Sequence, residues 1–181
     1  MPSKFENICS IIDLGTNTCL FLIANLNQNK LTKLFEAQET PRLGKDLYTT
    51  GNISSPSFET ISKIFQKYIS ISKDYKAERI LAFGTSALRE AINRFDFLDF
   101  IEKDTGIRIK VISGEEEAKY SFEGAIFDIE NPIDHVVLDI GGGSTEISFI
   151  DNRRLNSKSF EIGSVRLFEN FLKRASVNKI F

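Results

Sequence analysis

Apolar and polar positions alternate in short runs over the first forty residues and then fall into stretches with helical spacing. ICSIID (8–13) and CLFLIANL (19–26) are rich in β-branched and aromatic residues and are separated by LGTNT. That pattern predicts a β-hairpin around a small-residue turn. If the chain turns back between Asp13 and Thr18, Ile12 faces Cys19 and Cys9 faces Leu22. KLTKLFEAQET (30–40) alternates weakly after the turn signal Asn27-Gln28-Asn29 and predicts a third antiparallel strand. PRLGKDLYTTGN (41–52) reads as a loop. Ser55-Pro56 then opens a helix in which Phe58, Ile61, Phe65 and Tyr68 share one face.

RILAFG (79–84) predicts a strand running into a helix over TSALREAINR, capped by Thr85 or Ser86. FDFLDFIEKDTG (95–106) is a helix ending at Gly106, and IRIKVIS (107–113) a strand. Gly114 opens another helix, EEEAKYSFEGAIFDI, whose core stripe is Ala118, Phe122, Ala125 and Ile126 and which breaks at Asn131-Pro132. HVVLDI (135–140) is a strand that enters a glycine turn. EISFID (146–151) and RLNSKSFEIG (154–163) follow as an antiparallel pair, and VRLFENFLKR (165–174) as a closing helix. Three strands followed by alternating helices and strands predict an α/β fold, a mixed sheet with flanking helices in a single domain. No repeat of about 20–50 residues is present.

A looser echo carries the chemistry. IIDLGTNT (11–18) and VLDIGGGST (137–145) each place Asp-x-Gly at a strand end, then small hydroxylic residues and a new strand. Glycine after the aspartate lets backbone N–H groups converge on an anion, and Ser and Thr add hydroxyl donors. A plain turn is the alternative for either copy alone; two copies favour a phosphate clamp. Its loops are Asp13, Gly15, Thr16 and Asn17 on one side, and Gly141, Gly142, Gly143, Ser144 and Thr145 on the other. Asp139 and Glu146 flank the second loop, as carboxylates that hold a metal or handle a proton. In the helix from Gly114, Glu115 and Glu116 suit the N-terminal turn. Glu117 shares a stripe with the small residues Ser121 and Gly124 and is placed as a base on water, its pKa raised by neighbouring carboxylates. Arg89 is set either to fork onto a phosphate or to pair on the surface with Glu90 or Asp96.

Composition narrows the partners. The 181 residues carry a net charge of −2, 41% hydrophobic and 27% charged residues, and sixteen Phe with no Trp. That balance is ordinary for a globular protein and speaks against a nucleic-acid surface. Between Ile112 and Asp151 stand ten carboxylates and one lysine, Lys119, so a phosphate turn in this stretch calls for a cation. Cys9 and Cys19 are expected reduced and buried, which suits the cytoplasm, and His135 is expected at the surface or a strand edge. No apolar run reaches the roughly 18 residues of a membrane span, and the N-terminus has no signal-peptide pattern.

IDLGTNTCLFLIA, GTSALREA, SGEEEA and LDIGGGSTE, in that order and spacing, resemble the exopolyphosphatase/guanosine pentaphosphate phosphohydrolase family (Ppx/GppA). The resemblance runs from about Ile11 to Phe168. It implies an actin-like, ribonuclease H-like ATPase fold, of which this chain is expected to be the N-terminal one of two lobes. It also implies Mg2+ or another divalent cation, with polyphosphate or guanosine pentaphosphate as substrate, and leaves room for a homodimer. Glu117 matches the family's water-activating base and Arg89 its phosphate-facing arginine. Asp139 and Glu146 match its metal and proton handlers. A non-catalytic phosphate-binding module, and a kinase or ATPase of the same fold, are the other readings.

Overall fold

The computed structural model describes residues 7–27 and 30–172. Strands β1 (Ile8–Leu14) and β2 (Cys19–Asn27) form the expected hairpin, and β3 (Lys30–Glu39) adds antiparallel to β2. Gln28 and Asn29 of the turn signal lie outside the described residues. The register differs from the expected one by two residues: Leu14 pairs with Cys19, Ile12 with Phe21 and Cys9 with Ala24. The cause is a tighter turn. Gly15 N–H donates to the Thr18 carbonyl at 2.9 Å, so pairing runs on to Leu14. The thiols stay apart and free; Cys19 is buried as expected, whereas Cys9 is only half-buried. Strands β4 (Arg79–Gly84) and β5 (Ile109–Val111) add in parallel, giving a mixed sheet in the order β3-β2-β1-β4-β5. β5 is shorter than the predicted 107–113, because Ser113 already caps the next helix.

Four helices lie between β3 and β5: α1 (Leu47–Thr50, inside the predicted loop), α2 (Ser55–Asp74), α3 (Ser86–Glu90) and α4 (Arg94–Thr105). Helices α2 and α4 cover one face of the sheet. Tyr68 stacks on Phe21 with ring centroids 4.2 Å apart, Phe97 meets Phe58 edge-on, and the Ser72 hydroxyl donates to that of Ser10. Ile8, Ser10, Ile12 and Leu14 are therefore buried, while Ile11 and Asp13 point to the opposite face, in register with Leu81 and Phe83. This two-residue alternation turns Asp13 away from the core.

The helix predicted over 85–94 breaks at Ala91, which is extended. The Asn93 side chain holds the break by bonding both the N–H and the carbonyl of Ile53. Helix α4 ends at Gly106, φ +74°, where an added Cβ would meet nothing within 4 Å. Gly106→Ala should therefore cost only the left-handed backbone penalty, about 1–2 kcal/mol in urea unfolding, with no change at the site.

Helix α5 (Gly114–Ala125) begins with a reciprocal capping box between Ser113 and Glu116. It stops short of Ile129; Ala118 and Phe122 are buried as expected, but Ala125 is exposed and Ile126 half-buried. Gly124, a poor helix former, sits in its last turn. After a 3-10 turn (Pro132–Asp134) and the exposed His135, β6 (Val136–Ile140), β7 (Thr145–Asp151) and β8 (Arg154–Phe160) form a separate antiparallel sheet. Helix α5 packs on this second sheet, where the Ser148 hydroxyl donates to the Ala118 carbonyl. The closing helix is broken into α6 (Ser164–Leu167) and a π-helical turn (Phe168–Leu172); the predicted residues 173–174 lie outside the described region. Among the described residues no helix is long and apolar enough to cross a membrane.

Candidate active site

The two hairpin turns meet face to face. A Cβ on Gly142 would stand 3.1 Å from Thr16 Cβ, and one on Gly143 would strike the Thr16, Ser86 and Tyr48 hydroxyls. The bonding of the second loop is one-sided. The Gly141 carbonyl accepts from Ser164 N–H, the Gly142 carbonyl from Val165 and Arg166 N–H, and the Gly143 carbonyl from Arg166 Nε at 2.7 Å. Among the described residues, the N–H groups of Gly142, Gly143 and Ser144 have no protein acceptor, nor have those of Thr16, Asn17 and Thr18. A loop with its carbonyls tied behind it and its amides free can cradle an anion.

Beside the cradle, a cavity of about 490 Å³ lies between the open face of the first sheet and α5. Asp13, Glu117, Ser121 and Asp139 line it, with Ile11, Leu81 and Phe83 as its apolar floor. Glu117 Oε2 accepts from Arg89 Nη1 at 2.6 Å. Arg89 also bonds the Ile112 carbonyl and reaches Ser144 Oγ at 3.4 Å, so one guanidinium touches both the carboxylate and the second loop. Its partner is thus neither Glu90 nor Asp96. The Glu117 pKa is pushed up to about 7, first by burial and then by the charges of Glu146 and Asp13, against the pull of Arg89. The expected cause, neighbouring carboxylates, is real but second to desolvation. Asp13 is raised to about 6 by burial and by Asp139.

A divalent cation fits this arrangement. Asp13 Oδ1 is buried with no hydrogen-bond partner, and Asp139 stands close enough to raise the Asp13 pKa. Asp139 has one oxygen bonded by the Ser121 hydroxyl. No cluster of three or more ligating His, Cys, Asp or Glu side chains exists among the described residues, so Asp13 and Asp139 are the carboxylates available to an ion here. Glu146, expected with Asp139 at the metal, does not line the cavity. It is 2% exposed, and its Oε1 accepts from the Ser159 hydroxyl at 2.7 Å. Thr145 also turns away from the cradle, donating to the Ile162 carbonyl. Of the remaining candidates, Asp13, Glu117 and Asp139 line the cavity, Thr16 meets Gly142 and Gly143 across the cradle, and Arg89 reaches Ser144. Gly15 and Gly141 close their own turns, and Asn17 lines a neighbouring pocket with Arg42 and Lys45.

The model of the Ppx/GppA phosphatase family matches residues 22–179. The chain belongs to that family. It is 36% identical over 180 residues to the bifunctional 3-dehydroquinate synthase/phosphatase of Fusobacterium nucleatum, covering 93% of this chain and 27% of that protein. It is 33% identical to Exopolyphosphatase 2 of Mycobacterium tuberculosis, covering 89% and 54%. An exopolyphosphatase structure from Cytophaga hutchinsonii superposes with a TM-score of 0.84 at 30% identity, covering 91% and 54%. The actin-like fold is thereby shown, and the chain spans about half or less of the length of these Ppx/GppA relatives.

Sequence reasoning missed Tyr48, Ser159, Gly163 and Arg166, and did not name Ser121 as a site residue. Ser121 carried a signal, as a small residue on the Glu117 stripe. Arg166 carried none, because its partners Gly143 and Glu90 lie 23 and 76 residues away.

Proposed function

We propose that this Ppx/GppA site hydrolyses the terminal phosphoanhydride bond of inorganic polyphosphate, of guanosine pentaphosphate, or of both. The observation that carries this reading is the one-sided loop: two sets of free amides face each other beside a half-buried carboxylate whose pKa is pushed up to about 7. The terminal phosphoryl lies against the amides of 16–18 and 142–144. Arg89, already at Ser144 Oγ, neutralises its equatorial oxygens. Glu117 takes a proton from a water, whose oxygen attacks phosphorus. The anhydride P–O bond breaks, the electron pair leaves on the penultimate phosphate, and orthophosphate departs. Asp13 and Asp139 would hold a divalent cation, which supplies charge neutralisation at the phosphate oxygens.

The base must be unprotonated to act. Phosphate release from tripolyphosphate should therefore climb with pH through about 7 and level off above it, the limb reporting Glu117. A rate flat from pH 5.5 to 8.5 would remove Glu117 from the base's role. A non-catalytic sensor is the second reading, favoured by the Arg89–Glu117 ion pair that occupies the base. Tight tripolyphosphate binding by calorimetry without magnesium-dependent phosphate release would select it.

A further inference from the structure

Arg166 stands at a junction that neither the motifs nor the proposed chemistry uses. Its side chain is 12% exposed. Nε donates to the Gly143 carbonyl at 2.7 Å, Nη2 pairs with Glu90 Oε1, and the guanidinium lies 4.4 Å above the Tyr48 ring. Its own backbone N–H donates to the Gly142 carbonyl at 3.1 Å. Glu90 in turn accepts from Ser86 Oγ and is the neighbour of Arg89 on α3. One planar cation thus joins the back of the second phosphate loop to α1 and α3, which flank the first sheet. A rim ion pair would be worth little. This one is enclosed and matched at several donors, a task that suits arginine and that lysine cannot perform.

We propose that Arg166 is a positioning residue for phosphate binding. By holding the carbonyls of the second loop it keeps the amides of 142–144 turned towards the anion, and through Glu90 it fixes that loop's distance from Arg89. The inference rests on the phosphate reading of the cradle but can fail separately from it.

Arg166→Ala and Arg166→Lys should be compared with wild type in two measurements: calorimetric affinity for tripolyphosphate, and amide hydrogen exchange over 141–145. Arg166→Ala should weaken binding about tenfold or more, the loss of hydrogen bonds to a charged donor. It should also speed exchange over 141–145 while exchange in α2 stays as in wild type, a local effect that general destabilisation would not produce. Arg166→Lys should fall between the two, and it serves if the alanine variant does not fold. Affinity within about twofold and unchanged exchange at 141–145 would overturn the proposal. If wild type itself does not bind tripolyphosphate, the phosphate reading falls, and the exchange measurement still decides whether Arg166 holds the loop.

Discussion

Glu117→Gln should lower phosphate release from tripolyphosphate by about 10²–10⁴-fold, the usual contribution of a positioned general base, and leave affinity within about twofold of wild type. Glutamine keeps the size of the side chain and an oxygen for Arg89 Nη1, so the guanidinium keeps its contacts with Ile112 and Ser144. What is lost is the site for the proton that water must surrender. A wild-type rate in the variant would dismiss Glu117 as the base.

The same substitution has a readout without catalysis. The folded-state pKa of Glu117 is raised from 4.5 to about 7. Its contribution to stability is therefore fully present below pH 4.5 and is lost as pH rises through about 7. Glu117→Gln should flatten this fall in urea unfolding between pH 5 and 8. Two independent slopes, one in rate and one in stability, then report the same carboxyl group.

Much of this arrangement could be read from the chain because it is local. The alternation in ICSIID places Asp13 opposite Ile12, and the spacing in SGEEEAKYS puts Glu117 and Ser121 on one stripe. The repeated Asp-x-Gly turns mark both cradle loops. What escaped depends on how the elements meet. The hairpin register moved by two residues because a single turn hydrogen bond, from Gly15 to Thr18, decides where pairing begins. Glu146 sits opposite Asp139 across the β6–β7 hairpin, which on paper makes it an equal partner at a metal. The third strand supplies Ser159 as its hydrogen-bond donor, and that strand's register is not written in residues 136–150. Glu90 looked like a surface partner for Arg89, and is instead the anchor for an arginine 76 residues away.

Gly163→Ala brings out the same dependence. Gly163 is extended, φ −140°, so its backbone conformation is open to any residue. The constraint is space. An added Cβ would stand 2.5 Å from the carbonyl carbons of Gly142 and Gly143. Those are backbone atoms and cannot rotate aside as a side chain would. Gly163→Ala should therefore destabilise the protein by about 1–3 kcal/mol in urea unfolding, the cost of overpacking. It should also weaken tripolyphosphate binding, because relief requires the second loop to shift against Thr16. Gly106→Ala is the control, since it carries a comparable stability cost at a helix end, away from the cradle. If Gly163→Ala lost only stability and bound tripolyphosphate as well as Gly106→Ala, the packing behind the loop would not be what orients its amides. Lost affinity in Gly163→Ala alone would mean that the anion site is shaped from behind, by residues that never touch the phosphate.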